Sequence, residues 1–198
     1  MYVKPGAVVW DVGANVGLFA FAAAALAGPA GAVIAFEPDA DLVNLLRRSC
    51  QAQSDAVAPV TVLPVACAKG VEPRTFHLAN RSRSTNHLDG YGTTQTGGIR
   101  STETVMAISL DWAASHFPTP DILKIDVEGA EMEVLGGSVR LLESARPIIV
   151  CEVGEERSID VARLLHGLNY RITNADSRDY GGDLEKAPWN TLAIPQRS

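Results

Sequence analysis

The uncharged stretch between Asp11 and Glu37 constrains the fold of this chain most strongly. It is long enough in principle to span a bilayer. A Gly-Pro pair at residues 28–29 interrupts it, however, and much of its apolar content is alanine. Asp11 also interrupts any signal-peptide core near the start. We therefore predict a buried helix over residues 16–27 followed by a buried strand over residues 32–36, and no membrane-spanning segment.

Strand patterns alternate with helical patterns along most of the chain. The predicted strands cover residues 8–12, 32–36, 60–65, 105–108, 122–126, 147–152, 170–173 and 191–194, and the predicted helices cover residues 16–27, 38–50, 110–116, 132–142 and 161–168. A β-α-β-α-β order requires right-handed crossovers and a parallel sheet with helices on both faces. Residues 80–104 break the alternation, and their Ser, Thr, Asn, Gly and Arg content predicts a long polar loop.

Composition favours one domain and argues against a nucleic-acid partner and against a zinc site or disulfide framework. A chain of 198 residues that is 46% hydrophobic can bury one sizeable core, so we predict a single domain over residues 1–198. With 17 basic and 23 acidic residues, the net charge is -6, which does not favour nucleic acid. The three scattered cysteines show no zinc or disulfide spacing. We therefore expect reduced thiols in a cytoplasmic protein.

The turn after the first predicted strand differs from a dinucleotide-binding turn. A nicotinamide or flavin fingerprint needs G-x-G-x-x-G, but counting from Gly13 places Asn15 and Leu18 at the second and third glycine positions. A pyrophosphate therefore lacks its close backbone cradle, and an NAD-dependent oxidoreductase remains only as an alternative function. A plain strand-to-helix turn with a capping acid is the other alternative interpretation.

The same turn suits a smaller, zwitterionic ligand. Gly13 lets a ligand approach the backbone, the helix start near Gly17 offers free N–H groups to a carboxylate, and Asp11 can attract a cation. Glu37, after the second strand, can accept hydrogen bonds from both hydroxyls of a ribose. An amino acid joined to a nucleoside is S-adenosylmethionine, which we predict as the cofactor.

The predicted strand at residues 122–126 carries two charged residues although it should be buried. Strand alternation places Lys124 and Asp126 on one face, with Asp126 at the carboxyl end that faces the ligand crevice. Charges in the middle of a parallel sheet are costly unless they are paired. A buried ion pair that only braces the sheet is the alternative interpretation, mainly for Lys124.

These segments together resemble the FkbM-type S-adenosylmethionine-dependent methyltransferases. The resemblance runs through VVWDVGANVGLF, IAFEPD, SLDWAASHFPTPDILKIDVEGAEMEVLGG and RPIIVCEVG. It implies the Rossmann-like class I methyltransferase fold, which is a doubly wound, mostly parallel seven-stranded α/β sheet with an antiparallel last strand. It also implies methyl transfer, usually to a hydroxyl oxygen of a sugar, glycan or polyketide-like metabolite.

The resemblance also implies which residues form the site. The cofactor-binding residues would follow the first three strands: Asp11, Gly13, Asn15 and Gly17 at the methionine end, Glu37 at the ribose, and Ala66 or Cys67 at the adenine. Asp126 and Glu128 would border the reacting methyl group, and we predict them, with Lys124, as the catalytic residues. His87 could approach the acceptor from the polar loop.

Two expectations concern what accompanies this site. Glu152 adds a third carboxylate after the next strand, so a divalent metal stays an open alternative, although no metal site is predicted. Family members usually carry an amino-terminal extension, whereas the first predicted strand begins within ten residues of Met1. Either the sequence starts late, or the polar loop or a second subunit would cover the acceptor, which leaves homo-oligomerisation open. A protein that binds S-adenosylmethionine without catalysis is a further alternative.

Overall fold

The computed structural model describes residues 2–80, 85–92, 97–177 and 182–196. Its strands are β1 (Val8–Val12), β2 (Ala32–Phe36), β3 (Val60–Leu63), β4 (Ala66–Cys67), β5 (Glu72–Ala79), β6 (His87–Leu88), β7 (Ile99–Ile108), β8 (Ile122–Ile125), β9 (Ile148–Glu152), β10 (Tyr170–Asn174) and β11 (Asn190–Pro195). Its α-helices are α1 (Leu18–Ala27), α2 (Ala40–Gln51), α3 (Leu110–Ala113), α4 (Glu131–Gly136), α5 (Val139–Ser144) and α6 (Ser158–Gly167). None of the helices within these ranges is long and apolar enough to cross a bilayer.

The main sheet has the predicted doubly wound architecture. Its seven strands run in the order β10-β11-β9-β8-β1-β2-β3. The five strands from β9 to β3 are mutually parallel, whereas β11 is antiparallel to both β9 and β10. The chain moves outwards from β1 to β3 and then returns to β8 on the other side of β1. The carboxyl ends of β1 and β8 therefore form the switch point at which ligands bind in such sheets.

Helix α1 starts two residues later than predicted. Asn15 and Gly17 adopt the left-handed conformation, with φ of 51° and 88°, so residues 15–17 form a turn and not a helix. The alanine-rich helix then buries Ala20, Ala24 and other small side chains against the sheet. Gly28, with φ of 64°, ends it.

The predicted polar loop over residues 80–104 is wrong in part, because residues 99–104 belong to the long strand β7. This strand pairs antiparallel with β5 in a second sheet whose order is β4-β7-β5-β6. Phe76 and Leu78 of β5 pack with Ala107 in a separate apolar cluster. Residues 81–84 and 93–96 of the predicted loop lie outside the described residues.

The helix predicted over residues 132–142 is divided into α4 and α5. At Gly137 the backbone passes so close to Ala68 that a side chain would overlap its carbonyl oxygen. The Asp111 carboxylate then accepts hydrogen bonds from the first turn of α5, including one of 2.8 Å from the Leu141 N–H. The chain therefore breaks the helix at this point, where it packs against β4 and α3.

Candidate functional site

A cavity of about 360 Å³ lies beyond the carboxyl ends of the parallel strands. Its walls combine the turn after β1, the ends of β2 and β9, the segment after β8, and residues of β4, β5 and β6. The volume falls within the usual range for small-molecule sites. The second sheet thus closes one side of the switch-point crevice.

The turn after β1 brings its backbone against the neighbouring strands. The N–H groups of Gly13 and Ala14 both donate to the Phe36 carbonyl oxygen, each at 3.0 Å. Gly13 has φ of 77°, and a Cβ there would overlap the Asp126 carbonyl oxygen. Only glycine therefore allows the ends of β1 and β8 to approach this closely. Gly13 and Asn15 line the cavity.

Glu37 joins the turn after β1 to the segment after β2. Its two carboxylate oxygens accept the backbone N–H groups of Asn15 and Asp39, at 2.8 and 2.9 Å. The residue is only 5% exposed, yet it contributes to the cavity wall. Burial raises the pKa of Glu37 to about 7, and the two hydrogen bonds oppose that rise. A carboxylate oxygen can accept a second hydrogen bond, so Glu37 can still receive hydroxyl donors from the cavity.

Ala66 and Cys67 form an apolar part of the same wall. Both residues are buried in β4 and line the cavity near Phe36. Burial raises the pKa of the Cys67 thiol well above its usual range. The thiol therefore stays neutral and acts as a small apolar surface.

Two of the predicted cofactor residues lie behind the wall and do not line the cavity. Asp11 is fully buried, and its carboxylate lies 3.3 Å from Lys124 Nζ. Gly17 is also buried, and a Cβ there would press on Phe21 and Leu46. Asp11 lies within β1 with its side chain on the face that α1 covers, and it is not among the residues that line the cavity.

Lys124 connects Asp11 to the cavity without lining it. Its Nζ lies 3.3 Å from Asp11 Oδ1 and 3.3 Å from Asp126 Oδ2. Desolvation lowers the Lys124 pKa, but the two carboxylates outweigh it and raise that pKa. Burial raises the pKa of Asp11 to about 6, with Lys124 opposing. Asp11 forms no well-aligned hydrogen bond with any residue that the structure describes, so its buried charge depends on Lys124.

Three further carboxylates line the cavity at and beyond the ends of β8 and β9: Asp126, Glu128 and Glu152. Glu128 has φ of 50°, a left-handed conformation that is uncommon for a residue with a side chain and occurs often at functional sites. Its carbonyl oxygen accepts the Gly92 N–H at 3.0 Å, which fastens the second sheet to this segment. Desolvation, followed by repulsion from Asp126 and Glu152, raises the pKa of Glu128 to about 7.

The second sheet adds cavity residues that the motifs did not identify. His87, which the sequence predicts only as a loop residue that could approach the acceptor, is 7% exposed and lines the cavity with Phe76, Asn86 and Leu88. His87 Nδ1 lies 3.0 Å from the Thr85 carbonyl oxygen, which can only accept, so Nδ1 carries the proton. Nε2 is then an acceptor in the neutral ring. Nothing in the sequence signals Asn86, whose role depends on tertiary pairing.

The Asn86 side chain fixes that wall to the main sheet's helical layer. Its Oδ1 accepts the Ala79 N–H at 2.8 Å, and its Nδ2 donates to Asp39 Oδ2 at 2.9 Å. Asp39 also caps α2 by accepting the N–H groups of Asp41 and Leu42. Across the described residues, no three His, Cys, Asp or Glu side chains are arranged so that they could hold a metal ion.

Comparisons with known proteins agree with this arrangement. Hexuronic acid methyltransferase AglP of Haloferax volcanii is 32% identical over 143 residues, which cover 72% of this chain and 54% of that protein. The chain thus spans about half the length of this curated relative. Methyltransferase FkbM from Methylobacillus flagellatus has a TM-score of 0.59 at 15% identity, covering 94% of this chain and 42% of that chain.

A second solved structure and a family model complete the comparison. Magnesium protoporphyrin IX methyltransferase of Synechocystis PCC 6803, with bound SAM, has a TM-score of 0.54 at 12% identity, over 97% of this chain and 71% of that chain. These likenesses confirm the predicted fold class. The model of the methyltransferase FkbM domain matches residues 11–172. The chain therefore belongs to the FkbM methyltransferase domain family.

Proposed function

We propose that this chain binds S-adenosylmethionine and transfers its methyl group to a hydroxyl oxygen of a saccharide or a similar metabolite. The observation that carries the proposal is the cavity at the β1–β8 switch point, where the buried Glu37 carboxylate faces the same space as the carboxylates after β8 and β9. One end of this cavity has acceptors for a nucleoside, and the other has groups that can orient a hydroxyl. The name of the Haloferax relative supports a sugar acceptor.

The residues of the first three strand ends fit the cofactor. Glu37 would accept the ribose hydroxyls, and the backbone around Gly13 and Asn15 would lie against the methionine end. Ala66 and Cys67 would pack on the adenine. Asp11 and Gly17 would act indirectly, since Asp11 fixes Lys124 and Gly17 shapes the turn. When bound, the cofactor supplies an electrophilic methyl group on a sulfonium.

The carboxylates on the acceptor side would orient and deprotonate the acceptor. Lys124 holds Asp126 through the 3.3 Å ion pair, so Asp126 presents a fixed oxygen to the cavity. Glu128 has a pKa of about 7, near the optimum for a general base at neutral pH, and would receive the hydroxyl proton. His87 Nε2 is the second candidate for that proton, because its Nδ1 already donates to Thr85.

Thermal denaturation tests the cofactor assignment. At a concentration of about 100 times its Kd, S-adenosylmethionine should raise the melting temperature by about 5–10 °C, whereas NAD should not. Glu37→Ala should abolish the rise, while Glu143→Gln, on the exposed face of α5, should leave it unchanged. A chain stabilised by NAD alone would instead support the oxidoreductase alternative.

Transfer of a labelled methyl group separates an enzyme from a binding protein. With a panel of hydroxyl acceptors, the full chain should produce a methylated acceptor and release the demethylated cofactor in equal amounts. Asp126→Ala should lose this turnover but keep the thermal shift with S-adenosylmethionine. A thermal shift without transfer to any acceptor would indicate binding without catalysis.

A further inference from the structure

Trp189 is unusually exposed for a large aromatic residue. Its relative exposure is 61%, whereas Trp112 is 38% exposed and Trp10 is fully buried. A tryptophan side chain carries a large apolar area and is normally buried to a high degree. Because tryptophan is enriched at interfaces, an indole left this open to solvent is a candidate contact for another molecule.

The backbone that carries Trp189 is firmly held. The Trp189 carbonyl oxygen accepts the Val153 N–H at 2.9 Å. Two residues earlier, Ala187 donates its N–H to the Ser158 carbonyl oxygen at 3.1 Å and accepts the Ser158 hydroxyl at 2.7 Å. The indole therefore stands on a fixed support between β9 and α6, and little order has to be gained when a ligand meets it.

This support places the indole beside the acceptor side of the cavity. Asn190 pairs with Glu152, the last residue of β9, and Glu152 lines the cavity. Burial, followed by repulsion from Asp126, raises the pKa of Glu152, and a hydrogen bond from the nearby Trp189 indole opposes that rise. An aromatic face and a carboxylate thus lie together at the edge of the space that the acceptor would enter.

We propose that Trp189 and Glu152 form a saccharide subsite, in which the indole stacks on the C–H face of a pyranose ring while Glu152 accepts a hydroxyl of that ring. This inference rests on the proposed function and names the class of acceptor. A pyranose presents an apolar face and a rim of hydroxyl donors, which match the electron-rich face of an indole and an adjacent carboxylate. A protein partner over the same patch would bury the Glu152 charge without such donors.

Intrinsic fluorescence of the full chain identifies which indole meets the sugar. The probes are the methyl pyranosides of glucose, galactose and mannose. At least one of them should change the tryptophan emission of the wild-type chain and of Trp112→Phe, which removes the other exposed indole. Trp189→Phe should abolish the change, because Trp10 and Trp112 lie away from the subsite.

Affinity and turnover test the stacking itself. Trp189→Ala should raise the calorimetric Kd for the responding pyranoside, and the KM for its methylation, by about tenfold or more, with kcat nearly unchanged. Trp189→Phe should stay within about threefold of wild type, because phenylalanine keeps an aromatic face. Glu152→Gln should also weaken binding of the pyranoside. None of these variants should alter the thermal shift with S-adenosylmethionine.

The outcomes of these experiments distinguish an error in the proposed subsite from an error in the proposed function. If the thermal shift with S-adenosylmethionine is present but no pyranoside changes the emission, or the change persists in Trp189→Phe, the subsite is refuted and the proposed function stands. Concentration-dependent association that buries Trp189 would likewise refute the subsite in favour of a contact between copies. Absence of the thermal shift would refute the proposed function.

Discussion

At the scale of single residues, Glu37 and Glu128 show how the same pKa can serve two tasks. Burial raises the pKa of each to about 7. Glu37 is held by two backbone N–H groups and cannot move towards a reacting atom. Glu128 stands in a left-handed conformation among other carboxylates, and repulsion from them favours uptake of a proton. These differences support the proposed roles, in which Glu37 recognises the cofactor and Glu128 receives the proton.

Glu128 gives a prediction for the pH dependence. A base must be ionised to accept a proton, and the Glu128 carboxyl is protonated below a pKa of about 7. At saturating cofactor, kcat/KM for the acceptor should therefore rise with pH through about 7 and then level off. Glu128→Gln should remove this rise and lower kcat by about 10²- to 10⁴-fold. A rise that survives in Glu128→Gln would transfer the role of base to His87.

Gly13 gives a prediction for stability. Gly6 and Gly13 have similar φ angles of 83° and 77°, but a Cβ at Gly6 would meet nothing, whereas one at Gly13 would overlap the Asp126 carbonyl oxygen. Gly6→Ala should therefore cost about 1–2 kcal/mol of unfolding free energy from backbone strain alone. Gly13→Ala should cost about 2–5 kcal/mol, because overpacking is added. Urea denaturation measures both, and equal losses would contradict the close approach of β1 and β8.

At the scale of elements, strands buried on both faces were predictable, whereas in the second sheet the prediction found mainly residues 105–108 of β7. β1 and β2 agree with the predicted bounds, because mostly apolar runs are typical of strands between two helical layers. Residues 99–104 of β7 are exposed and, apart from Ile99, polar, so no apolar pattern with a period of two marks them. Their strand depends on pairing with β5, which local sequence does not encode.

The same contrast holds in the candidate site. Position at a strand end placed Gly13, Glu37 and Asp126 near the crevice, because parallel strands end at one edge of a sheet. The position of Asp11 in the sequence did not reveal that its side chain lies on the face of the main sheet that α1 covers. His87 reaches the cavity through its pairing with His77 on β5, a tertiary contact with no motif.

Asn86 gives a prediction for the attachment of the second sheet. Asn86→Ala removes one hydrogen bond to Ala79 and one to Asp39, so it should cost about 1–2 kcal/mol and speed hydrogen exchange at the Ala79 amide. Asn80→Ala is the matched control, because the Asn80 side chain is exposed and, among the described residues, its one hydrogen bond is the 3.4 Å donation from Nδ2 to the Gly97 carbonyl oxygen. Its effect should stay within about 0.5 kcal/mol. Unchanged exchange at Ala79 in Asn86→Ala would contradict the attachment.

At the scale of the whole molecule, the cavity is acidic and so has the same sign of charge as the whole chain, whose net charge is -6. Its described lining includes Glu37, Asp126, Glu128 and Glu152, and none of those described lining residues is Lys or Arg. Carboxylates in a partly desolvated space repel other anions strongly. Under the proposed function, this field would favour neutral or cationic acceptors and would suit the positive sulfonium of the cofactor.

The acidic lining of the cavity predicts that the protein distinguishes two acceptors that differ only in their charge. Methyl glucoside and methyl glucuronide differ by one carboxylate, so the glucuronide should have a KM at least about tenfold higher. Added salt should narrow the difference, because screening weakens repulsion near the cavity mouth. Measuring KM for both compounds over a range of ionic strength checks this. Equal KM values at low salt would show that a cation reaches the bound uronate.

The pairing of β4 with the end of β7 has an evolutionary consequence. Ala66 and Cys67 lie beside Ala107 and Ile108, so the chain leaves the main body and rejoins it at neighbouring positions. Everything between these two points, including the residues that supply Phe76, Asn86 and His87, forms a detour with adjacent ends. Such a detour can be lengthened, shortened or exchanged between relatives while the strand ends that would bind the proposed nucleoside stay unchanged. Acceptor specificity could then change without any change in the cofactor site.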